Sequence, residues 1–276
     1  MSTPTLTLTP SLRLRLRLGL TDSATMLRRN LRHALRYPAM TASTILVPMI
    51  ILLLFVGVLG NTLRAGLGAR AAGGGGGYIG YLTPGIILIS VAASCVATSV
   101  AVCVDVTGGI VDRFRTMPIA RSAVLTGHVL GSVIQTAASL VVVTVAAVLI
   151  GFRPAGAPVR WLAAAGLLLL LAFALTWLSV LIGLTARNPE SASNTPLLVQ
   201  LLPFVSSAFV PTDALPGGIR WFAEYQPFTE LIEATRALLL GTPVGHHAVA
   251  AVAWCVAIAL TGYLGSRAVF GRPRAA

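Results

Sequence analysis

Three charged side chains in an otherwise apolar part of the chain, Glu230, Glu233 and Arg236, are the residues best suited to chemistry. They lie in residues 211–241, where the pattern predicts two short helices, each started by a proline, between a truncated apolar stretch and the last apolar stretch. Charges and half-length helices beside a bilayer are costly, because lipid offers their polar groups no partners. The segment therefore indicates a pathway for transport across a membrane.

The same charges also fit ordinary helix stabilisation. Glu230 and Glu233 are predicted in the first turn of the second helix, where the helix dipole favours anions, and Arg236 near its end. Both interpretations stay open on the sequence alone. The sequence predicts no metal site, and three histidines are expected to be polar residues at the membrane interface: His128, His246 and His247.

The composition around these residues is that of an all-α integral membrane protein. Of 276 residues, 56% are hydrophobic and 10% are charged, and the mean hydropathy is +0.86. All 20 basic residues are arginine, so the chain lacks the lysine of a phosphate-binding loop, and ATP must be hydrolysed elsewhere. The metalloprotease motif and the nucleophile-elbow motif are also missing from the sequence, which disfavours an intramembrane enzyme.

Six apolar stretches match or approach the length of a membrane span, since about 20 helical residues cross a bilayer core of about 30 Å. They are residues 41–60, 84–104, 123–152, 161–185, 196–210 and 248–270. The fifth is short and contains Pro203. Fourteen arginines fall on one side of this arrangement and six on the other. The positive-inside rule then places both termini in the cytosol, which six crossings satisfy.

The residues ahead of the first span are basic. Residues 1–20 are predicted to be a flexible tail rather than a signal peptide, because they contain no continuous apolar run. Residues 21–40 predict an amphipathic helix on the cytosolic membrane surface, with leucines on one face and four arginines on the other. These are Arg28, Arg29, Arg32 and Arg36. A solvated charged run is the alternative.

A second charged segment, residues 105–123, connects the second and third predicted spans. A short helix is predicted after Gly109, and Pro118 ends it. Phe114 between charged neighbours is typical of a small helix that docks into a groove on a partner protein. An ordinary positively charged loop is the alternative.

Three stretches make the chain similar to a known family: YIGYLTPGI at residues 78–86, GGIVDRFRTMPIARSAV at residues 108–124, and SSAFVPTDALPGGIRWFAEYQPFTELIEATRALLLG at residues 206–241. Together with the order of elements from about residue 21 to residue 270, they resemble the membrane subunits of ABC-2 type exporters, especially the actinobacterial daunorubicin-resistance permeases. The resemblance implies a cytosolic surface helix, six transmembrane helices, a coupling helix in the first cytosolic loop and short external re-entrant helices after the fifth span.

The resemblance also implies roles for individual residues. Those expected to contact a separate ATP-binding subunit are Gly109, Asp112, Arg113, Phe114, Arg115, Pro118 and Arg121. Those expected to shape an external gate are Pro211, Pro216, Arg220, Pro227, Glu230, Glu233 and Arg236. Gly217 and Gly218 stand where the family often has a bulkier residue, which puts the packing of the first external helix in doubt.

By this resemblance the chain is a permease subunit of the cell membrane, not itself an enzyme, which exports an amphipathic drug or lipid-like molecule. ATP and Mg are expected on the partner ATPase, and no cofactor on this chain. A second permease copy and membrane lipid are further expected partners, whereas nucleic acid is not. A homodimer is expected, with a related permease as the alternative. Export of polysaccharide or cell-wall precursors is the main alternative. A secondary transporter is less favoured, because Asp105 is the one acid at the predicted spans.

Overall fold

The computed structural model describes residues 38–58, 77–109 and 121–270, in which helices are joined by turns and irregular connections and no β-strand occurs. The α-helices in these ranges are α1 (Pro38–Leu53), α2 (Gly77–Thr107), α3 (Arg121–Ile150), α4 (Pro158–Thr185), α5 (Pro189–Leu201), α6 (Gly217–Tyr225), α7 (Pro227–Leu240) and α8 (His247–Phe270). A π-helical turn, Leu54–Val58, continues α1, and 3-10 helices cover Leu202–Val205 and Thr212–Ala214.

Several predicted features lie outside the described residues. They are the basic tail, the arginine face of the surface helix at Arg28, Arg29, Arg32 and Arg36, and the centre of the coupling loop with Asp112, Arg113, Phe114, Arg115 and Pro118. Two residues at the edges of that loop are placed. Gly109 follows α2 with a φ of +69°, and Arg121 is the first residue of α3.

Four of the described helices are long and apolar enough to cross a membrane: α2, α3, α4 and α8. They coincide with the predicted spans at residues 84–104, 123–152, 161–185 and 248–270, with bounds that differ by a few residues at most ends. These four helices therefore confirm the predicted class, an integral membrane protein. α1 carries a shorter apolar helical run, Ile45–Gly57, at the predicted first span.

The predicted fifth span, residues 196–210, has the wrong bounds. Its helix α5 begins at Pro189, where the side chain of Asn188 accepts a hydrogen bond of 2.8 Å from the Ser191 amide and the Ser191 hydroxyl accepts one from the Asn188 amide. This reciprocal cap starts the helix about two turns earlier than hydropathy indicates. The 13 residues of α5 and the four of Leu202–Val205 have a combined rise of about 27 Å.

The centre of the bundle is formed by α2 and α4, which run parallel. A Cβ added at Gly183 on α4 would lie 2.5 Å from the carbonyl oxygen of Ser99 on α2, so only glycine permits this approach. On the other side of α4, a Cβ added at Gly262 on α8 would lie 2.6 Å from the amide nitrogen of Leu178. Small residues thus let three long helices pack backbone against backbone, as is common between membrane helices.

α3 packs antiparallel to α2 along three polar contacts. The hydroxyls of Ser90 and Ser139 are 3.0 Å apart, and Thr98 Oγ1 donates to Ser132 Oγ at 2.9 Å. The third contact joins Asp105 Oδ2 and His128 Nε2 at 3.0 Å, where α2 approaches its end. Hydrogen bonds of this kind hold helices together in lipid, where apolar contact gives little preference for protein over lipid.

Candidate functional site

The segment at residues 211–241 forms two short helices, as the sequence predicts. Pro216 is the N-cap residue of α6, and Pro227 is the first residue of α7, where its missing amide hydrogen costs nothing. Gln226 ends one helix and starts the next. Gly241 caps α7 in the left-handed conformation, with a φ of +79°. We refer to residues 211–241 as the short-helix segment.

The two helices of this segment have different surroundings. On α6, Trp221 and Tyr225 are 66% and 67% exposed, so this helix lies at the surface with its aromatic rings outward. On α7, Phe228, Leu231 and Ile232 are buried in the main hydrophobic core. α7 is therefore a structural part of the bundle, whereas α6 lies over it.

Arg236 on α7 is the most heavily bonded charge of the segment. Its guanidinium donates to the backbone carbonyl of Tyr81 on α2 through Nε at 3.3 Å and Nη2 at 3.2 Å. Nη2 also donates to the carbonyl of Ser207 at 2.7 Å, and the guanidinium carbon lies 3.9 Å from the centre of the Tyr81 ring. The side chain is only 10% exposed. Arg236 thus ties α7 both to α2 and to the turn that follows the Leu202–Val205 helix.

The two glutamates of α7 differ from the prediction in part. Glu230 lies in the first helical turn as predicted, but Glu233 lies beyond it and Arg236 is not in the last turn. Glu233 Oε1 instead accepts from Arg236 Nη1 at 2.5 Å, with 30% of the Glu233 side chain exposed. Glu233 and Arg236 therefore lie outside the first and last turns, where the helix dipole acts most strongly, and they pair with each other within α7.

Arg220 on α6 lies in a different environment. It is about half exposed, and its Nε donates to Glu224 Oε1 at 2.7 Å, which raises the pKa of Arg220 above its ordinary value. A Cβ added at Gly217 or Gly218 would meet no atom within 4 Å. The two glycines at the start of α6 therefore do not reflect a tight contact, and the space beside them is open.

Glu230 faces the start of α8. Its Oε2 lies 2.7 Å from Nδ1 of His247, the first residue of that helix. The ring of His246 lies beside that of His247, with centroids 4.1 Å apart and the ring planes tilted by 36°. The sequence indicates only polar interfacial residues at these positions, because Glu230 and the two histidines are separated along the chain by most of α7 and the loop after it.

The comparisons with known proteins agree with this architecture. The model of the family described as ABC-2 type transporter matches residues 22–240, which is most of the chain. The chain belongs to the ABC-2 type transporter family. It is also 28% identical over 207 residues to the daunorubicin resistance ABC transporter permease protein DrrB1 of Streptomyces coeruleorubidus, and the alignment covers 75% of this chain and 70% of that protein. The predicted family is therefore confirmed, and with it a membrane permease subunit.

Sequence reasoning missed two features of this permease. One is the pair of backbone carbonyls that receive Arg236, at Tyr81 and Ser207, which no side-chain pattern reveals. The other is the buried Asp105 and His128 pair, which closes the α2 and α3 contact at the end next to the coupling loop. Ser90, Thr98 and Asp105 are spaced along one face of α2. That spacing could have predicted a row of polar contacts with a neighbouring helix.

Proposed function

We propose that this ABC-2 permease exports an amphipathic drug or lipid-like molecule, using ATP hydrolysed by a separate subunit. The observation that carries the proposal is the family match from residue 22 to residue 240, which includes both the coupling loop and the short-helix segment. The relative's printed name, a daunorubicin resistance permease, supports a drug-like substrate. Polysaccharide or cell-wall precursor export is the alternative, since the same architecture serves both.

The ATP-binding partner supplies the energy, because the chain has no lysine with which to build a phosphate-binding loop. In this proposal Gly109, Asp112, Arg113, Phe114, Arg115, Pro118 and Arg121 contact that subunit. The contact of Asp105 with His128 supports this role for the loop between them, because it fixes the ends of α2 and α3 against each other. A movement of the loop is then passed on to both helices. No cofactor is needed on the permease itself.

Six crossings and cytosolic termini complete the proposal. The contacts alternate in direction: α3 runs antiparallel to α2, whereas α4 and α8 run parallel to it. α5 with its 3-10 extension approaches the thickness of a bilayer core, which supports a crossing there. With α1 as the first crossing, the arginine-rich coupling loop is cytosolic and the short-helix segment external.

The apolar faces that α5 leaves exposed need lipid or a second permease copy. Leu198 and Leu201 are 70% and 57% exposed, next to the polar start of the same helix. We propose that the working exporter contains two permease chains, identical or related, with two ATPase subunits.

The short-helix segment forms the external gate in this proposal. Pro211, Pro216 and Pro227 start its three helical pieces, so they fix where the segment can bend. Arg220 donates to Glu224 within α6, and Glu233 accepts from Arg236 within α7. The contacts that hold α7 to other helices are those of Arg236 with α2 and of Glu230 with the start of α8.

Reconstitution in vesicles tests the proposal. The tagged permease is purified with the ATPase that binds it, inserted into liposomes, and assayed for ATP-dependent movement of daunorubicin and of a fluorescent lipid. The double variant Phe114→Ala, Arg115→Ala is expected to lose ATPase capture and transport, because it removes the aromatic anchor and its charge. Met117→Ala, in the same loop but outside the proposed contact set, serves as the matched control.

Three outcomes would contradict parts of this assignment. Capture and ATP turnover unaltered in the double variant would remove the coupling role of the loop. Movement of substrate by the purified chain alone, driven by a proton gradient, would favour a secondary transporter. Transport of a polyprenyl-linked sugar in place of both probes would favour the polysaccharide alternative.

A further inference from the structure

Three potential metal ligands converge beside the short-helix segment. The ligand atoms of Glu230, His246 and His247 all lie within 4.8 Å of one another. Glu230 and His247 are already in contact at 2.7 Å, and the centroids of the two imidazole rings are 4.1 Å apart. From the sequence alone we predicted no metal site and treated these histidines as interfacial polar residues.

The three residues come together because the chain doubles back after α7. Glu230 lies in the first turn of α7, and the chain leaves the other end of that helix at Gly241 before it returns to His247. The return loop is held in place by Arg160, whose Nη1 donates to the carbonyl of Thr242 at 3.2 Å. Gly245, with a φ of +58°, makes the final turn before the two histidines. A bound ion would link the two ends of this stretch of chain, residues 230 and 246.

The chemistry of the three ligands selects the class of ion. Two imidazole nitrogens and one carboxylate oxygen are the donor set of many zinc sites with an open fourth position, which water fills. Mg²⁺ and Ca²⁺ prefer oxygen ligands alone, so they suit the site poorly. His246 is exposed, and Glu230 and His247 are partly exposed, so the side chains have room to adjust from hydrogen-bond geometry to bonds of about 2 Å.

We propose that Glu230, His246 and His247 bind Zn²⁺ or a similar transition-metal ion, which clips the start of α7 to the start of α8. The ion takes the place of the hydrogen bond between Glu230 and His247 and recruits His246 as a third ligand. In the clipped state α7 is held to α8 as well as to α2. If α7 belongs to the gate, as the proposed function has it, the ion slows export from outside the cell.

Metal binding is measured first, because it does not depend on the proposed function. The full-length permease, purified without a polyhistidine tag and stripped with a chelator, is titrated with Zn²⁺ by calorimetry and its metal content is measured. We expect one Zn²⁺ per chain, no comparable binding of Mg²⁺, and a rise in melting temperature with Zn²⁺. His246→Ala and Glu230→Gln should each weaken Zn²⁺ binding by more than about tenfold. Changing a residue that only orients a metal ligand already weakens metal binding, and removing a ligand itself should weaken it more.

Two matched controls separate the site from general effects of charge. His33→Ala removes a histidine distant in sequence, and Glu224→Gln removes a carboxylate on α6, and both should keep the affinity of the unaltered chain for Zn²⁺. His246→Ala is the decisive variant, because it leaves the pair of Glu230 with His247 intact and so should keep the fold. Absence of saturable Zn²⁺ binding, or binding that His246→Ala does not weaken, would overturn the site.

Transport is the second readout. Zn²⁺ added outside vesicles should slow ATP-driven export by the unaltered permease and leave the His246→Ala variant unaffected. Zn²⁺ that binds at the site without slowing export would overturn the clip, and it would leave the proposed export function standing. If the unaltered permease shows no ATP-driven export even without Zn²⁺, the proposed function is contradicted. The Zn²⁺ site is not, because the binding titration tests it independently.

Discussion

The guanidinium of Arg236 lies 3.9 Å from the centre of the Tyr81 ring and donates two hydrogen bonds to the carbonyl of the same residue. One side chain on a short helix thereby recognises both the ring and the backbone of a residue on the central helix α2. This contact fixes α7 against the bundle, and it explains why a charge can be buried at this position.

Arg236→Met is expected to destabilise the permease by about 2–4 kcal/mol, because it removes a buried charge that holds two carbonyls and a carboxylate. The stability of Arg236→Lys should lie between those of the unaltered chain and Arg236→Met, since an ammonium cannot make the forked contacts of a guanidinium. The melting temperature of the purified protein in detergent measures both. Arg220→Met is the control, which should leave the melting temperature unchanged because Arg220 is solvated. An equal fall in both variants would contradict the assignment.

Glu233→Gln should cost much less than loss of its partner, about 1 kcal/mol or less. The carboxylate is 30% exposed and water screens its charge, while Arg236 keeps both carbonyl contacts. The same melting experiment applies, with export measured in parallel. Normal stability together with lost export would assign Glu233 to the pathway rather than to the fold.

The hydroxyl contact between Ser90 and Ser139 should show a measurable coupling. In a double-mutant cycle with Ser90→Ala and Ser139→Ala, we expect a coupling free energy of about 0.6 kcal/mol, the usual value for hydrogen bonds between membrane helices. Unfolding in mixed micelles measures the four proteins of the cycle. A coupling of zero would mean that the seam between α2 and α3 is held by packing alone.

Gly262→Ala should destabilise the contact of α8 with α4 by about 1–3 kcal/mol, since its new methyl group would lie 2.6 Å from backbone atoms that cannot move independently. Gly166→Ala is the matched control on α4, because a Cβ there meets no atom within 4 Å. That control should be neutral or slightly stabilising, as alanine favours a helix over glycine. The ratio of folded to unfolded protein in denaturant distinguishes the two.

Much of the architecture could be predicted from sequence because it depends on local properties. The length of apolar stretches identified four long helices, and the prolines at 216 and 227 predicted the starts of α6 and α7. The fifth element was misplaced for the same reason. Its start depends on the cap formed by Asn188 and Ser191, which are polar residues that hydropathy excludes.

The site residues show where local reasoning ends. Glu230 and Arg236 were singled out as unusual charges in an apolar context, and that judgement needed only their neighbours in sequence. Their partners could not be found in this way. Tyr81 is 155 positions from Arg236, and His247 is 17 positions from Glu230 with a whole helix between them.

The sequence by itself determined that this chain is a helical membrane protein without a nucleotide-binding loop, because composition and the absence of lysine are properties of the chain. Its likeness to the ABC-2 family likewise came from stretches of sequence, and the family match confirmed it. Only the tertiary structure decided that Arg236 supports α7 from within and that Glu230 meets two histidines. Those contacts depend on how α2, α7 and α8 pack, and packing is set by shape and distance between residues far apart in sequence.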